Sequence, residues 1–172
     1  MAKNEAIITI TAAEGDNGRD FQEETQRIIK ILLHRGSDKR EWEFVAQLLP
    51  THRSFWGTRL RAAVVYGPLA EGNAQGRVDL LEVVENWPYP EVNPETLPEV
   101  NTPLILCSVF VISPEDFGQM VEMQHPVLLG IAQRYRVLWD EIPTYISAPL
   151  QELKRNLNKQ RRARCRYLAE GY

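Results

Sequence analysis

The stretch Val64–Val84, VVYGPLAEGNAQGRVDLLEVV, gathers the residues of this sequence best placed to do chemistry. An apolar segment ends at Gly67, four residues separate it from Gly72, and Asp79 follows inside a second apolar segment. Strand alternation puts Arg77 and Asp79 on one side of their segment, where the guanidinium pairs with the carboxylate and repels a metal. Two like unit charges about 4 Å apart cost about 4 kcal/mol at an effective dielectric near 20, and a divalent ion doubles that. Glu71, Glu82 and Glu85 are the other acids at hand. Glu82, three residues past Asp79, points to the opposite face of a regular strand. By themselves Gly67 and Gly72 also read as a plain strand-to-strand turn.

A second group of residues lies at the C-terminal end. Residues 151–172 hold seven basic side chains, Lys154, Arg155, Lys159, Arg161, Arg162, Arg164 and Arg166, and two acidic ones, a net of +5. The first 150 residues carry 13 basic and 21 acidic groups, a net of −8. A basic tail on an acidic body speaks to partners rather than to fold. The cluster suits phosphates of RNA, DNA or a nucleotide; a solvated helix face, or a segment that docks on an acidic surface, is the rival reading. Trp87 and Tyr89, in NWPYPEV, can dock on a partner from an extended proline-rich segment or pack back over their own sheet. His34, His52 and His125 show no paired ligand spacing and read as surface or satisfied core side chains. Cys107 and Cys165 form no metal or disulfide pattern, and Cys165, amid arginines, is a bystander thiol.

The elements that must position these groups follow from periodicity. Ala6–Thr11 reads as a short strand, and Asp20 with Glu23 has capping-box spacing ahead of a helix closed by Gly36. Ser37 caps a second helix, with Trp42, Val45, Ala46 and Leu49 on one face, that ends at Pro50; 51–58 is loop. Leu60–Tyr66 and Val78–Val84 are strands joined by the loop Gly67–Arg77. The segment 86–103 is proline-rich and irregular, and Leu104–Ile112 is a third strand. Ser113-Pro114-Glu115-Asp116 is a helix start with a capping hydroxyl, a first-position proline and acids in the first turn; that helix runs to Met123. A short helix spans Pro126–Tyr135, a strand Arg136–Trp139, and a last helix opens at Ser147 with Leu150, Leu153 and Leu157 on one face.

The order strand, Gly67, four residues, Gly72, then Asp79 on the next strand resembles the nucleotidyltransferase superfamily, particularly its minimal single-domain members. The similarity continues through LCSVFVISPEDF (106–117) and HPVLLGIAQRYRVLWD (125–140), which look like that family's third core strand, small helix and closing strand. The resemblance implies a metal site of two acids flanking one residue on the second strand and a third acid on the next. Asp79 matches the second acid, but Arg77 stands at the first and Ser108 at the third. Pro68 replaces the serine expected after Gly67 and offers a phosphate neither hydroxyl nor N–H. The resemblance thus implies nucleotide-binding roles for Gly67, Gly72 and Arg77, and a catalytic role for Asp79 only in an active transferase using Mg²⁺.

Length and composition bound the rest. With 172 residues, 44% hydrophobic and 25% charged, the chain suits one globular domain that needs no disulfide or structural metal. No apolar run approaches the roughly 20 residues of a membrane span, and no secretory signal follows Met1. With two cysteines, a reducing cytoplasm is the expected setting. The expectation is an α/β (α+β) fold: a small mixed sheet with flanking helices over 1–146 (helices 20–50, core 60–140) and a basic helical extension over 147–172. Its expected role is a catalytically degenerate binding or regulatory module with no metal or cofactor, a protein partner and a tail able to meet nucleic acid. The alternative is an active metal-dependent nucleotidyltransferase acting on a small molecule, a protein or RNA.

Overall fold

The computed structural model describes residues 38–87, 104–142 and 145–169, with Glu23, Gln26, Arg27 and Lys30 as isolated helical positions. The expected strand Ala6–Thr11, the caps at Asp20, Gly36 and Ser37, and His34 lie outside the described residues.

Helix α1 spans Lys39–Trp56 and passes straight through Pro50, correcting the expected stop there and the loop over 51–58. An interior proline costs a helix about 3 kcal/mol. The apolar stripe begun by Trp42, Val45 and Leu49 continues after it through His52 and Trp56, both buried, and their tertiary contacts outweigh the penalty. A 3₁₀ turn, Gly57–Arg59, leads into strand β1, Leu60–Tyr66. The expected loop after β1 holds a four-residue helix α2, Pro68–Glu71, and strand β2 follows at Arg77–Val84.

Strand β3, Leu106–Ile112, begins two residues later than expected because Leu104 turns the chain at φ 80°. Helix α3, Pro114–Glu122, is capped as expected: Ser113 Oγ accepts the Asp116 N–H at 3.0 Å. Helix α4, Pro126–Gln133, is shorter than expected, and strand β4, Tyr135–Asp140, correspondingly longer. Helix α5 runs Ser147–Ala169, and Asp140 Oδ2 holds its start by accepting from the Ser147 hydroxyl at 2.8 Å and the Ser147 and Ile146 amides at 3.2 Å.

The fold is α/β in the mixed, α+β sense. The four strands lie in the order β3-β2-β1-β4, with β1 antiparallel to β2 and β4 and β2 parallel to β3. The central strands are buried on both faces, so they read as unbroken apolar runs. On one face Ala63, Val65, Val78, Leu80 and Val84 pack with Trp42, Val45, Leu49 and Trp56 of α1. On the other, Ala62, Val64, Leu81, Val83 and Ile112 meet Phe117 of α3, Leu128 and Ile131 of α4, and Leu150 and Leu153 of α5. Full burial of each such large side chain contributes about 1.5–3 kcal/mol. The opening turns of α5 therefore belong to the core. Among the described residues no helix is long and apolar enough to cross a membrane.

Candidate functional site

Three residues of neighbouring strands form a row on the face covered by α3–α5. Register pairs Asp79 of β2 with Tyr66 of β1 and with Ser108 of β3. Ser108, the position where the resemblance would put a third acid, is thus directly beside Asp79, and it is exposed. Asp79 itself is 3% exposed.

Burial of a lone carboxylate is costly unless it is paired. Arg77 supplies the partner: its Nε donates to Asp79 Oδ2 at 2.8 Å and Oδ1 at 3.1 Å. The side chain lies on the same strand face, as alternation requires, and its outer part stays in solvent. The hydrogen bond to Asp79, and then that residue's charge, hold the guanidinium pKa above its ordinary value. Burial, and next the negative charge of Asp79, push the Tyr66 phenol up as well, while Arg77 pulls it down. Both oxygens of the one carboxylate matching the metal motif are therefore engaged by a cation.

The loop beyond β1 is shaped around this carboxylate. Gly67 has φ 66° and ψ −143°, a region essentially reserved for glycine, and a Cβ there would stand 3.1 Å from Asp79 Oδ2. Pro68 occupies the first position of α2, and Gly72 closes that helix in the left-handed region at φ 82°. The rest of the loop is clamped by α1. Asp38 Oδ1 accepts the Ala74 N–H at 3.2 Å, and Glu41 Oε1 accepts the Gly76 N–H at 2.8 Å. Burial pushes the Glu41 carboxyl up, but hydrogen bonds from its own amide and that of Gly76 override this and hold it below its ordinary value.

The other acids near the motif serve elsewhere. Glu71 is exposed at the end of α2. Glu82 lies on the opposite sheet face, fully buried, where its oxygens meet His52 Nδ1 at 2.6 Å and the Trp56 indole N–H at 2.9 Å. His52 is accordingly a satisfied core side chain. Glu85 pairs with Arg61, which also pairs with Glu141. His125 caps α4, its Nδ1 accepting the Val127 N–H at 3.3 Å. Among the described residues no group of three His, Cys, Asp or Glu side chains is placed to hold a metal ion. The residues around Asp79 do not fit Mg²⁺: the one carboxylate there is already bound by a guanidinium on both oxygens, and no second acid stands beside it among the described residues.

The remaining candidates are spread over the surface. Trp87 is half-buried, packed against the α1-side core and edge-on to Trp56 with ring centroids 5.1 Å apart. Tyr89 lies outside the described residues. Cys107 on β3 and the exposed Cys165 on α5 are far apart in the fold, and neither forms a disulfide. Lys154, Arg155, Lys159, Arg161, Arg162, Arg164 and Arg166 are all exposed along α5. Lys154 sits over the Tyr135 ring at 5.8 Å, and Arg161 donates to Gln133 at 3.0 Å.

Sequence reading did not find Tyr66 as a neighbour of Asp79, nor the clamp from Asp38 and Glu41. The signal for the first was the two-strand register through a ten-residue loop, which spacing alone does not fix. Compared with known proteins, the chain matches no protein-family model and no curated protein.

Proposed function

We propose that this chain is a nucleotidyltransferase-like module that has given up metal-dependent transfer and works by binding, as a regulatory or adaptor unit, through protein or nucleic-acid contacts. Two cysteines outside any disulfide suit a reducing, cytoplasmic setting. One observation carries the reading: the Arg77 guanidinium sits on the Asp79 carboxylate where a transferase gathers anions. Nucleotidyl transfer depends on Mg²⁺ to bridge phosphates and offset the developing charge. A fixed cation within hydrogen-bond distance of the only matching carboxylate opposes that ion directly. The neutral Ser108 beside Asp79 and the N–H-less Pro68 after Gly67 support the same conclusion.

Calorimetric titration of the purified chain with each nucleoside triphosphate, with Mg²⁺ or Mn²⁺ and with EDTA, tests this. The expected result is no metal-dependent gain in nucleotide affinity and no transferred nucleotidyl group. Tight binding that vanishes on chelation, or label transfer from a nucleoside triphosphate, overturns the reading in favour of an active enzyme.

A further inference from the structure

Beyond Leu157 every residue of helix α5 from Asn158 to Arg166 is exposed, with Arg161 reaching back to Gln133 at the end of α4. This stretch carries Lys159, Arg161, Arg162, Arg164 and Arg166 and no acid. An α-helix brings positions three and four apart onto one side. Arg155, Lys159, Arg162 and Arg166 follow that 4-3-4 spacing, so they form a single cationic stripe about 16 Å long. Leu150, Leu153 and Leu157 occupy a different side, the one turned to α4 and the core, so the stripe faces away from the packed surface. Among the described residues, none of its four cations lies within ion-pair distance of a carboxylate. The described part of the body therefore leaves the stripe without an acidic partner.

We infer that α5 is a duplex-DNA-binding helix whose Arg155–Lys159–Arg162–Arg166 stripe contacts the phosphate backbone. Charge is the first reason: a cationic row of that length spans about five phosphates of one DNA strand. Composition is the second. Between Asn158 and Arg166 the helix offers Asn, Gln, Ala and Cys beside its cations, small and polar side chains that a groove admits, and its large side chains, Tyr167 and Leu168, follow only after the stripe. Shape selects the duplex. A helix of about 10–12 Å diameter, exposed on its cationic side, fits the roughly 12 Å major groove of B-DNA, whereas the A-form RNA groove is too narrow to admit it. The net −8 carried by residues 1–150 repels a polyanion and turns it toward the basic end. This goes beyond the function proposed above and stands on α5 alone, with no use of Asp79.

Fluorescence anisotropy with a labelled 20-base-pair duplex, in EDTA so that no metal site contributes, provides the test. Four phosphate contacts predict that log K falls against log salt with a slope of about −3.6. The full-length R155Q/K159Q/R162Q/R166Q variant, with helicity checked by circular dichroism, should lose at least tenfold in affinity at low salt. The single variants R162Q and R166Q, exposed and free of core contacts, should each reduce the slope by about 1 and decide the matter if the fourfold variant misfolds. Lys39→Gln with Arg136→Gln, on the body, should leave binding unchanged. Failure to bind duplex at low salt, binding that survives loss of the stripe, or an equal or tighter grip on an RNA duplex overturns the inference. Tighter binding to an acidic polypeptide than to DNA overturns it too and assigns the stripe to a protein partner.

Discussion

Asp79 and Ser108 are register partners across the parallel pairing of β2 and β3, with side chains on the same sheet face. Two residues earlier on β2, on that face, stands Arg77. The three positions where the resemblance would put carboxylates thus lie side by side, holding one carboxylate, one guanidinium and one hydroxyl. Two substitutions, at Arg77 and Ser108, would make all three of them carboxylates.

Arg77→Asp combined with Ser108→Asp should create a divalent-cation site around Asp79. The expected outcome is calorimetric Mn²⁺ or Mg²⁺ binding at least tenfold tighter than for the wild-type chain, a difference of about 1.4 kcal/mol, with a melting temperature that climbs as metal is added. A folded double variant that takes up no more metal than the wild type would show that the backbone frame is wrong as well as the side chains.

Tyr66 reports on the charge of its partner. Its phenol is raised by burial and then by Asp79, and lowered by Arg77. Asp79→Asn should therefore make Tyr66 ionise at lower pH, and Arg77→Gln should make it ionise at higher pH. Ultraviolet titration near 295 nm, differenced against Tyr66→Phe to isolate one of the six tyrosines, reads both. The sign for stability follows: the folded pKa lies above the unfolded one, so this contribution is complete below about pH 10 and is lost as pH rises through the folded value. Opposite or absent shifts in the two variants would refute the charge relationship drawn at the site.

Much of this was legible in the sequence, for local reasons. Apolar runs bounded by glycines marked β1 and β2, the Ser113-Pro114 start fixed α3, and alternation set Arg77 beside Asp79 and Glu82 away from it. Pro50 misled because the energy holding the end of α1 is tertiary. Trp56 and His52 bond to Glu82, 26 and 30 residues further along, and no window around Pro50 contains that information. Tyr66 was missed for the same reason: it meets Asp79 only once the β1–β2 register is set. The clamp of Asp38 and Glu41 on Ala74 and Gly76 bridges 36 and 35 residues and leaves no periodic trace.

That Glu82 triangle should be among the most costly places to mutate. Glu82→Ala strands the Trp56 N–H and the His52 ring inside the core, and each buried polar group left unsatisfied costs about 1–3 kcal/mol. Glu82→Gln keeps one acceptor but turns an amide donor on the other N–H, so an intermediate loss is expected. Urea denaturation at pH 7 checks the order. A Glu82→Ala loss under about 1 kcal/mol would mean that water or repacking satisfies the stranded groups.

Gly67 and Gly72 separate backbone strain from contact. Both have positive φ, but a Cβ at Gly72 meets nothing within 4 Å, whereas one at Gly67 meets Asp79 Oδ2 at 3.1 Å. Gly72→Ala should cost only the left-handed penalty, about 1 kcal/mol. Gly67→Ala, in a region of φ and ψ that side chains hardly enter, should cost about 3 kcal/mol. The Asp79 carboxylate must also give by a few tenths of an ångström. The denaturation midpoints give the two costs, and the Tyr66 titration in Gly67→Ala shows whether Asp79 has moved. Equal costs with an unmoved Tyr66 would detach the glycine from the carboxylate and leave the loop as a plain strand-to-strand turn.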